Sequence, residues 1–301
     1  MGCDWRSVKK KRPAFFWNFK SNFFQRIMRY LILTFLCSIG ISAIFAQKRF
    51  VDDAGIEREY LKSVDSLFLA TNRHDYLSEE CNLDNLIYLP EKEFLYEYYY
   101  EREGQQYLFD PSLGGQRIWP LNKLPQKNTI VRLGFSIEHE NMVGMTVCKH
   151  NYYSGDGEVG GLFEKSGIIE NERNTWLHPP RSEQFAMLEL NPYPYVKFPL
   201  KIGRTWDWEL EIGDDFSSSF WVAWKGAILN KYWYRITDRI TLQTSLGKID
   251  CWVIESGGTS QLGQTSLTAF FNELLGFVKL EYTNIDGTKL VMNLTEIRVT
   301  K

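Results

Sequence analysis

The chain has 301 residues, 44% of them hydrophobic, with 35 Lys and Arg against 37 Asp and Glu. Eight of those bases and one acid fall within the first 46 residues, so the remainder carries 27 bases against 36 acids, a net charge near minus 9. That sign repels phosphate and excludes nucleic acid or anionic lipid as a general partner. The three cysteines beyond residue 46 (Cys81, Cys148, Cys251) permit at most one internal bridge, which excludes a disulfide scaffold.

Residues 1–46 read as a signal peptide: a basic leader, then the apolar run LILTFLCSIGISAIFA from Leu31 to Ala46, then Gln47 at the expected cut. Met28 offers a second start that would give a leader of ordinary length. An uncleaved anchor is the alternative, and so is lipidation at Cys37, although Thr34, Phe35 and Leu36 lack the small residue that normally precedes a lipidated cysteine. Residues 47–83 read as an N-terminal helical segment. In it, Ile56, Tyr60, Val64, Leu67 and Phe68 recur at helical spacing and predict an amphipathic helix over residues 52–72.

Residues 84–301 change period and read as an antiparallel β domain. In EFLYEYYYERE, Tyr96, Tyr98 and Tyr100 share one strand face, either a platform for sugar rings or the apolar side of an amphipathic edge strand. Val131, Leu133, Phe135 and Ile137 alternate with polar residues, and MVGMTVCKH follows closely enough to pair with them as a hairpin across Glu140 and Asn141. Beyond the loop NYYSGDGEVGG, five prolines between Pro179 and Pro199 bracket a predicted strand over residues 184–190. From Gly203 onward TWDWELEI, SFWVAW, KYWYRITDRITLQT, KIDCWVIES, TSLTAFFNE, GFVKLEY and KLVMNLTEIRV all read as strands, and Asp286-Gly287 marks a tight hairpin turn.

Strands joined by turns too short for a crossover must be antiparallel, and a sheet of so many strands curls or closes. The expected fold is therefore mainly β: a strongly curved antiparallel sheet, or an open barrel or β-roll, with one N-terminal amphipathic helix. Trp206, Trp208, Leu210 and Ile212 fall on one face of their strand, with Thr205, Asp207, Glu209 and Glu211 on the other. Such sorting predicts one buried face. Phe220, Trp221, Trp224, Tyr232, Trp233, Tyr234, Trp252, Phe270, Phe271 and Phe277 crowd the neighbouring strands, so the curved sheet encloses either a solid core or an apolar cavity.

Residues 191–301 carry a Pro-Leu-x-x-Gly-x-x-Trp signal at Pro199 to Trp206, a Gly-x-x-x-Cys hairpin at Gly247 to Cys251 and a Gly-x-Val-Lys strand at Gly276 to Lys279. In these motifs the C-terminal third resembles the TapB-like and related domain-of-unknown-function exported proteins of the Gram-negative envelope. The hairpin departs from the usual Pro-x-Gly-Thr-Phe form, having Thr244, Ser245, Leu246 and Gly247. The resemblance implies an exported, curled antiparallel β fold and brings no established activity or catalytic residue.

Chemistry-bearing residues are few. Cys148 and His150 share a strand face and could supply two zinc ligands, but no spacing supplies the rest. His178, in WLHPPR, could act as a general base with Arg181 gripping an anion, yet no nucleophile motif accompanies it. GDGE at residues 155–158 and GDD at 213–215 lack calcium-loop spacing, and carboxylate pairs drawn from Glu138, Glu189 or Asp207 arise freely in so acidic a chain.

The reading is an exported, periplasmic or envelope protein with a non-enzymatic binding or structural β domain and no cofactor. Trp206, Trp208, Trp224, Tyr232 and Tyr234 would line its aromatic concavity. The partner would be an apolar or glycan ligand or an envelope protein, and membrane contact would come through the N-terminal segment if it is uncleaved. The alternative is an envelope-directed hydrolase with His178 as general base.

Overall fold

The computed structural model describes residues 85–299, apart from 114–116 and 143–144. The leader, the helix expected over residues 52–72, His74 and Cys81 lie outside the described residues.

Fourteen strands form a single antiparallel sheet. In chain order they are β1 (Lys92–Arg102), β2 (Gln105–Phe109), β3 (Ile118–Pro120), β4 (Arg132–Met142), β5 (Met145–Ser154), β6 (Gly157–Glu170), β7 (Asn174–Leu177), β8 (Tyr195–Lys197), β9 (Thr205–Ile212), β10 (Ile228–Thr244), β11 (Gly247–Ser260), β12 (Gly263–Asn272), β13 (Gly276–Thr283) and β14 (Lys289–Val299). Two meanders, β4 to β8 and β9 to β14, are joined through β1, which lies between β4 and β14; β2 and β3 extend β1 as a small side flap. The sheet is curved and open, with β8 and β9 as its two edges.

Those edges face each other through side chains. Tyr195 of β8 meets Trp206 and Trp208 of β9 at ring-centroid distances of 5.8 and 6.4 Å, and Trp176 of β7 meets Trp208 at 6.1 Å. A seam of rings thus takes the place of a hydrogen-bonded ladder. Edge-to-face geometry of this kind suits the aromatic quadrupole.

The strands form where the sequence alternates. In β9, Trp206, Trp208 and Ile212 are buried while Thr205, Asp207 and Glu211 are exposed. β1 corrects one expectation: Tyr96, Tyr98 and Tyr100 are all buried and their strand is central, so they form a wall of the core and not an amphipathic edge. Their hydroxyls reach backbone where the core allows it, Tyr96 donating to the Phe277 carbonyl at 2.7 Å and Tyr98 to that of Ile130 at 3.0 Å.

The span 184–190, expected as a strand, is instead a 3-10 helix, Glu183–Leu190. The prolines do bound it, but it crosses the inside of the roll, where no strand is free to pair. A backbone there meets its hydrogen-bond demand locally, as a 3-10 turn does. Phe185, from this helix, touches Tyr98, Tyr100, Phe109 and Tyr152 at 5.2 to 5.9 Å. Residues 178–194 therefore run through the interior as an insert, and the large core cluster is built on it: Phe185, Met187, Leu188 and Tyr193 join the inward rings of the sheet.

SFWVAW, also expected as a strand, lies in the loop between β9 and β10, with one isolated bridge from Ser218 to Val222. That loop covers one end of the roll with a separate cluster of Leu190, Ile212, Trp224 and Ile228. A third cluster lies outside the main core. The β10–β11 hairpin extends past β9 and β12, and its Ile249, Cys251 and Val253 pack with Phe270 and Val278. Cys148 and Cys251 are buried free thiols.

Truncating the insert's central ring should be severe: Phe185→Ala is expected to cost about 3–5 kcal/mol, the range for a buried aromatic. Urea denaturation followed by fluorescence measures it, and a loss under about 1 kcal/mol would show that the insert does not support the sheet.

Candidate functional site

The five rings expected to form a ligand surface divide between two places. Trp206, Trp208, Tyr232 and Tyr234 share the main core, each less than a tenth exposed. Register pairs Trp208 with Tyr232 and Trp206 with Tyr234 across β9 and β10, and the second pair is stacked at 5.3 Å with the planes 4° apart. Their outer partners belong to the insert: Tyr193 lies 5.1 Å from Trp208, and Tyr234 donates to the Tyr193 carbonyl at 3.2 Å. Trp224 sits apart, in the cluster under the β9–β10 loop. Trp233, on the opposite face of β10, is 49% exposed and its indole lies against Gly257 of β11, where a Cβ would fall 2.5 Å from Nε1.

Cys148 and His150 do face the same side of β5, but each is engaged in packing. His150 stacks on Phe135 at 4.4 Å, and its two nitrogens meet Glu164 Oε1 at 3.0 Å and Ser166 Oγ at 3.1 Å. Burial pushes the Cys148 thiol well above its ordinary range, the nearby carboxylates adding to the effect. Among the described residues, no group of three or more His, Cys, Asp and Glu side chains is arranged to hold a metal. Asp156 and Asp214 to Asp215 lie on exposed turns, and Asp214 accepts from the Gly226 amide.

His178 and Arg181 open the insert, and around them is the densest set of polar groups inside the roll. Glu164 of β6 anchors it. Its Oε1 accepts from the Arg181 amide at 2.7 Å and the Tyr152 hydroxyl at 3.0 Å, and its Oε2 from Ser182 Oγ at 2.9 Å. Burial alone would raise this carboxyl, but His150, the Arg181 amide and the Ser182 hydroxyl outweigh it and hold it at about 2. The Arg181 guanidinium reaches the Lys165 carbonyl at 3.3 Å and remains 39% exposed.

Deeper in, His178 Nδ1 lies 2.7 Å from the Pro179 carbonyl and Nε2 lies 3.4 Å from Glu189 Oε1, while Tyr193 donates to Glu189 Oε2. Burial, with Arg181 adding to it, pushes the imidazole down to about 3. Burial pushes Glu189 up to about 7 against the opposing hydrogen bond from Tyr193. Both ring nitrogens of His178 thus lie against groups of the protein, so its one free lone pair is not directed at a substrate. The structure joins His178, Arg181 and Glu189 in one cluster and leaves Glu138 and Asp207 elsewhere, on β4 and β9.

Sequence reading missed a second buried polar set, on the outer face where β1, β4, β5 and β14 meet. Glu93 is 1% exposed and accepts from Tyr153 at 2.6 Å, Asn151 at 3.1 Å and Arg298 at 2.7 Å. Burial pushes its carboxyl up, and those three donors reverse the shift to leave it below its usual value. Gly134 makes room for it, since a Cβ there would lie 2.2 Å from Glu93 Oε1. Strand alternation puts Glu93 on the outer side, and nothing local to it announces an arginine 205 residues away.

No protein-family profile matches the chain, and no curated protein matches it. The resemblance to TapB-like proteins rests on the quoted motifs alone. Three solved structures align loosely. A "putative lipoprotein" from Parabacteroides distasonis shares 10% identity over 71% of this chain and 100% of its own, with a TM-score of 0.39. A "putative exported protein with YmcC-like fold" from Bacteroides fragilis shares 9% over 70% and 96%, with a TM-score of 0.41. The "hypothetical lipoprotein YmcC" from Escherichia coli shares 11% over 78% and 96%, with a TM-score of 0.33.

Because Glu164 is held low when folded, its stabilisation is present above its ordinary value of 4.5 and disappears as pH falls from there toward about 2. Glu164→Gln should lower stability at pH 7 by about 1–3 kcal/mol, since it leaves buried donors poorly matched. The deficit should shrink on acidification, and thermal melts at stepped pH measure it. A deficit unchanged down to pH 2.5 would show that the carboxylate's charge is not what ties the insert to β6.

Proposed function

We propose that the chain is an exported cell-envelope protein whose β roll is a non-enzymatic scaffold that meets an envelope partner through its outer surface. The observation that carries this reading is the occupancy of the roll's aromatic face. Trp206, Trp208, Tyr232 and Tyr234 spend their contact area on each other and on residues of the insert. A site for an apolar or glycan ligand among them would require the insert to move out. The engagement of both His178 nitrogens favours the scaffold over the hydrolase. Export rests on the basic leader and the apolar run ending at Ala46, and the TapB-like motifs of the C-terminal third agree with it.

Two measurements test the reading. In a Gram-negative host the protein is expected in the envelope fraction with Gln47 as its N-terminus by intact-mass analysis; retention of residues 1–46 in the cytoplasm would overturn export. Titration with a fatty acid and with oligosaccharides should leave the tryptophan emission unchanged. Saturable quenching that weakens in Trp206→Phe would instead make the interior a binding site.

A further inference from the structure

Where the first residue of the insert meets the end of its 3-10 helix, an acceptor faces an acceptor. A carbonyl oxygen can only accept, so the 2.7 Å approach of His178 Nδ1 to the Pro179 carbonyl places a proton on Nδ1. Nε2 of a neutral imidazole is then a lone pair, and it faces Glu189 Oε1 at 3.4 Å. Among the described residues Oε1 has no hydrogen-bond partner, and Glu189 is 3% exposed. An ionised carboxylate there would either bring two lone pairs together or require an imidazolium buried beside Arg181, and both are costly away from water.

We propose that Glu189 and His178 hold one proton between them, carried on Glu189 Oε1 and donated to His178 Nε2, and that this proton clasps the insert shut inside the roll. The clasp joins the first residue of the insert to the end of its 3-10 helix. It is continued to the sheet by Tyr193, which donates to Glu189 Oε2, and by the Tyr232 hydroxyl of β10, 3.4 Å from the Glu189 carbonyl. With the proton in place the group is neutral and the insert is held at both ends. Removing it leaves a buried anion against a lone pair, and adding a second makes a buried imidazolium beside Arg181.

The charged and titratable groups that face the pair are Arg181 of the insert, Glu164 of β6, His150 of β5, Tyr193 and Tyr232. Burial pushes Tyr193 and Tyr232 far up, so both stay protonated. Glu164, held at about 2, stays ionised across the range that matters.

The pair has a distinctive pH signature. Unfolded, Glu189 and His178 titrate near 4.5 and 6.5; folded, near 7 and 3. Between pH 4.5 and 6.5 each state then holds one proton, on the carboxyl when folded and on the imidazole when unfolded, and the pair adds no slope to stability. Below 4.5 the unfolded chain takes up a second proton and the folded state is disfavoured. Above 6.5 the unfolded chain gives up its last proton first, so stability falls as pH rises through about 7.

Single substitutions break this balance in opposite directions. Relative to the wild-type protein, the melting temperature of Glu189→Gln should rise from pH 4.5 to 6.5 and that of His178→Gln should fall, each by on the order of 5–10 °C for one proton over two pH units. Differences of the same sign, or flat differences, would overturn the proposal. If either variant fails to fold, two spectra of the wild-type protein decide. At pH 5.5 the 15N spectrum of His178 should show a proton on Nδ1 alone, and the infrared spectrum should contain a buried carboxylic-acid carbonyl band. A proton on Nε2, or no such band, would overturn it.

Discussion

A curved sheet with an aromatic inner face has to have that face covered, and this chain covers it with part of itself. Everything else in the fold is arranged around the passage of residues 178–194 through the roll. The insert supplies Phe185 to four rings of the sheet and Tyr193 to Trp208 beside the seam between β8 and β9. Without it, the inward tyrosines of β1 and the tryptophans of β9 would line a void, a loss of contact that the density of protein interiors does not tolerate.

Filling the interior with backbone brings polar groups where water does not reach, and the chain answers with buried carboxylates. Glu164 accepts from an amide and two hydroxyls at the entrance of the insert. At the other end of β6, Glu170 accepts the successive amides of Leu86, Ile87 and Tyr88 and fixes the segment leading into β1. Glu93 does the same work between strands on the outer face. Each of these acids is engaged by donors of the protein itself. The acidity of the chain is in part a structural device for satisfying backbone and hydroxyl donors.

Much of the sheet was legible. The alternation in 205–212 and 228–244 and the Asp286-Gly287 turn specify strands and hairpins from local pattern, because side-chain period and turn chemistry are local properties. Three things were not. The run 184–190 has the composition of a strand, and its 3-10 form follows from running through an interior that lacks a free edge. SFWVAW is apolar because it covers the end of the roll, a role its composition shares with a strand. Tyr96, Tyr98 and Tyr100 announce a buried face but not that their strand is inserted between β4 and β14. Of the candidate site, His178 and Arg181 were visible as residues, whereas the meeting with Glu189 and Glu164 depends on how the insert folds back.

The position of β1 governs how the molecule must assemble. Its partner β14 carries the register Lys92 to Val299, so the strand that opens the described domain is completed by the one that closes it. Hairpins from β9 to β14 can form as they are made, but the two meanders cannot be welded until the last strand has emerged. Non-local pairing of this kind is slow. Until that junction closes, each meander keeps a bare strand edge, so the β1–β14 ladder is also what shields the sheet from pairing with another chain.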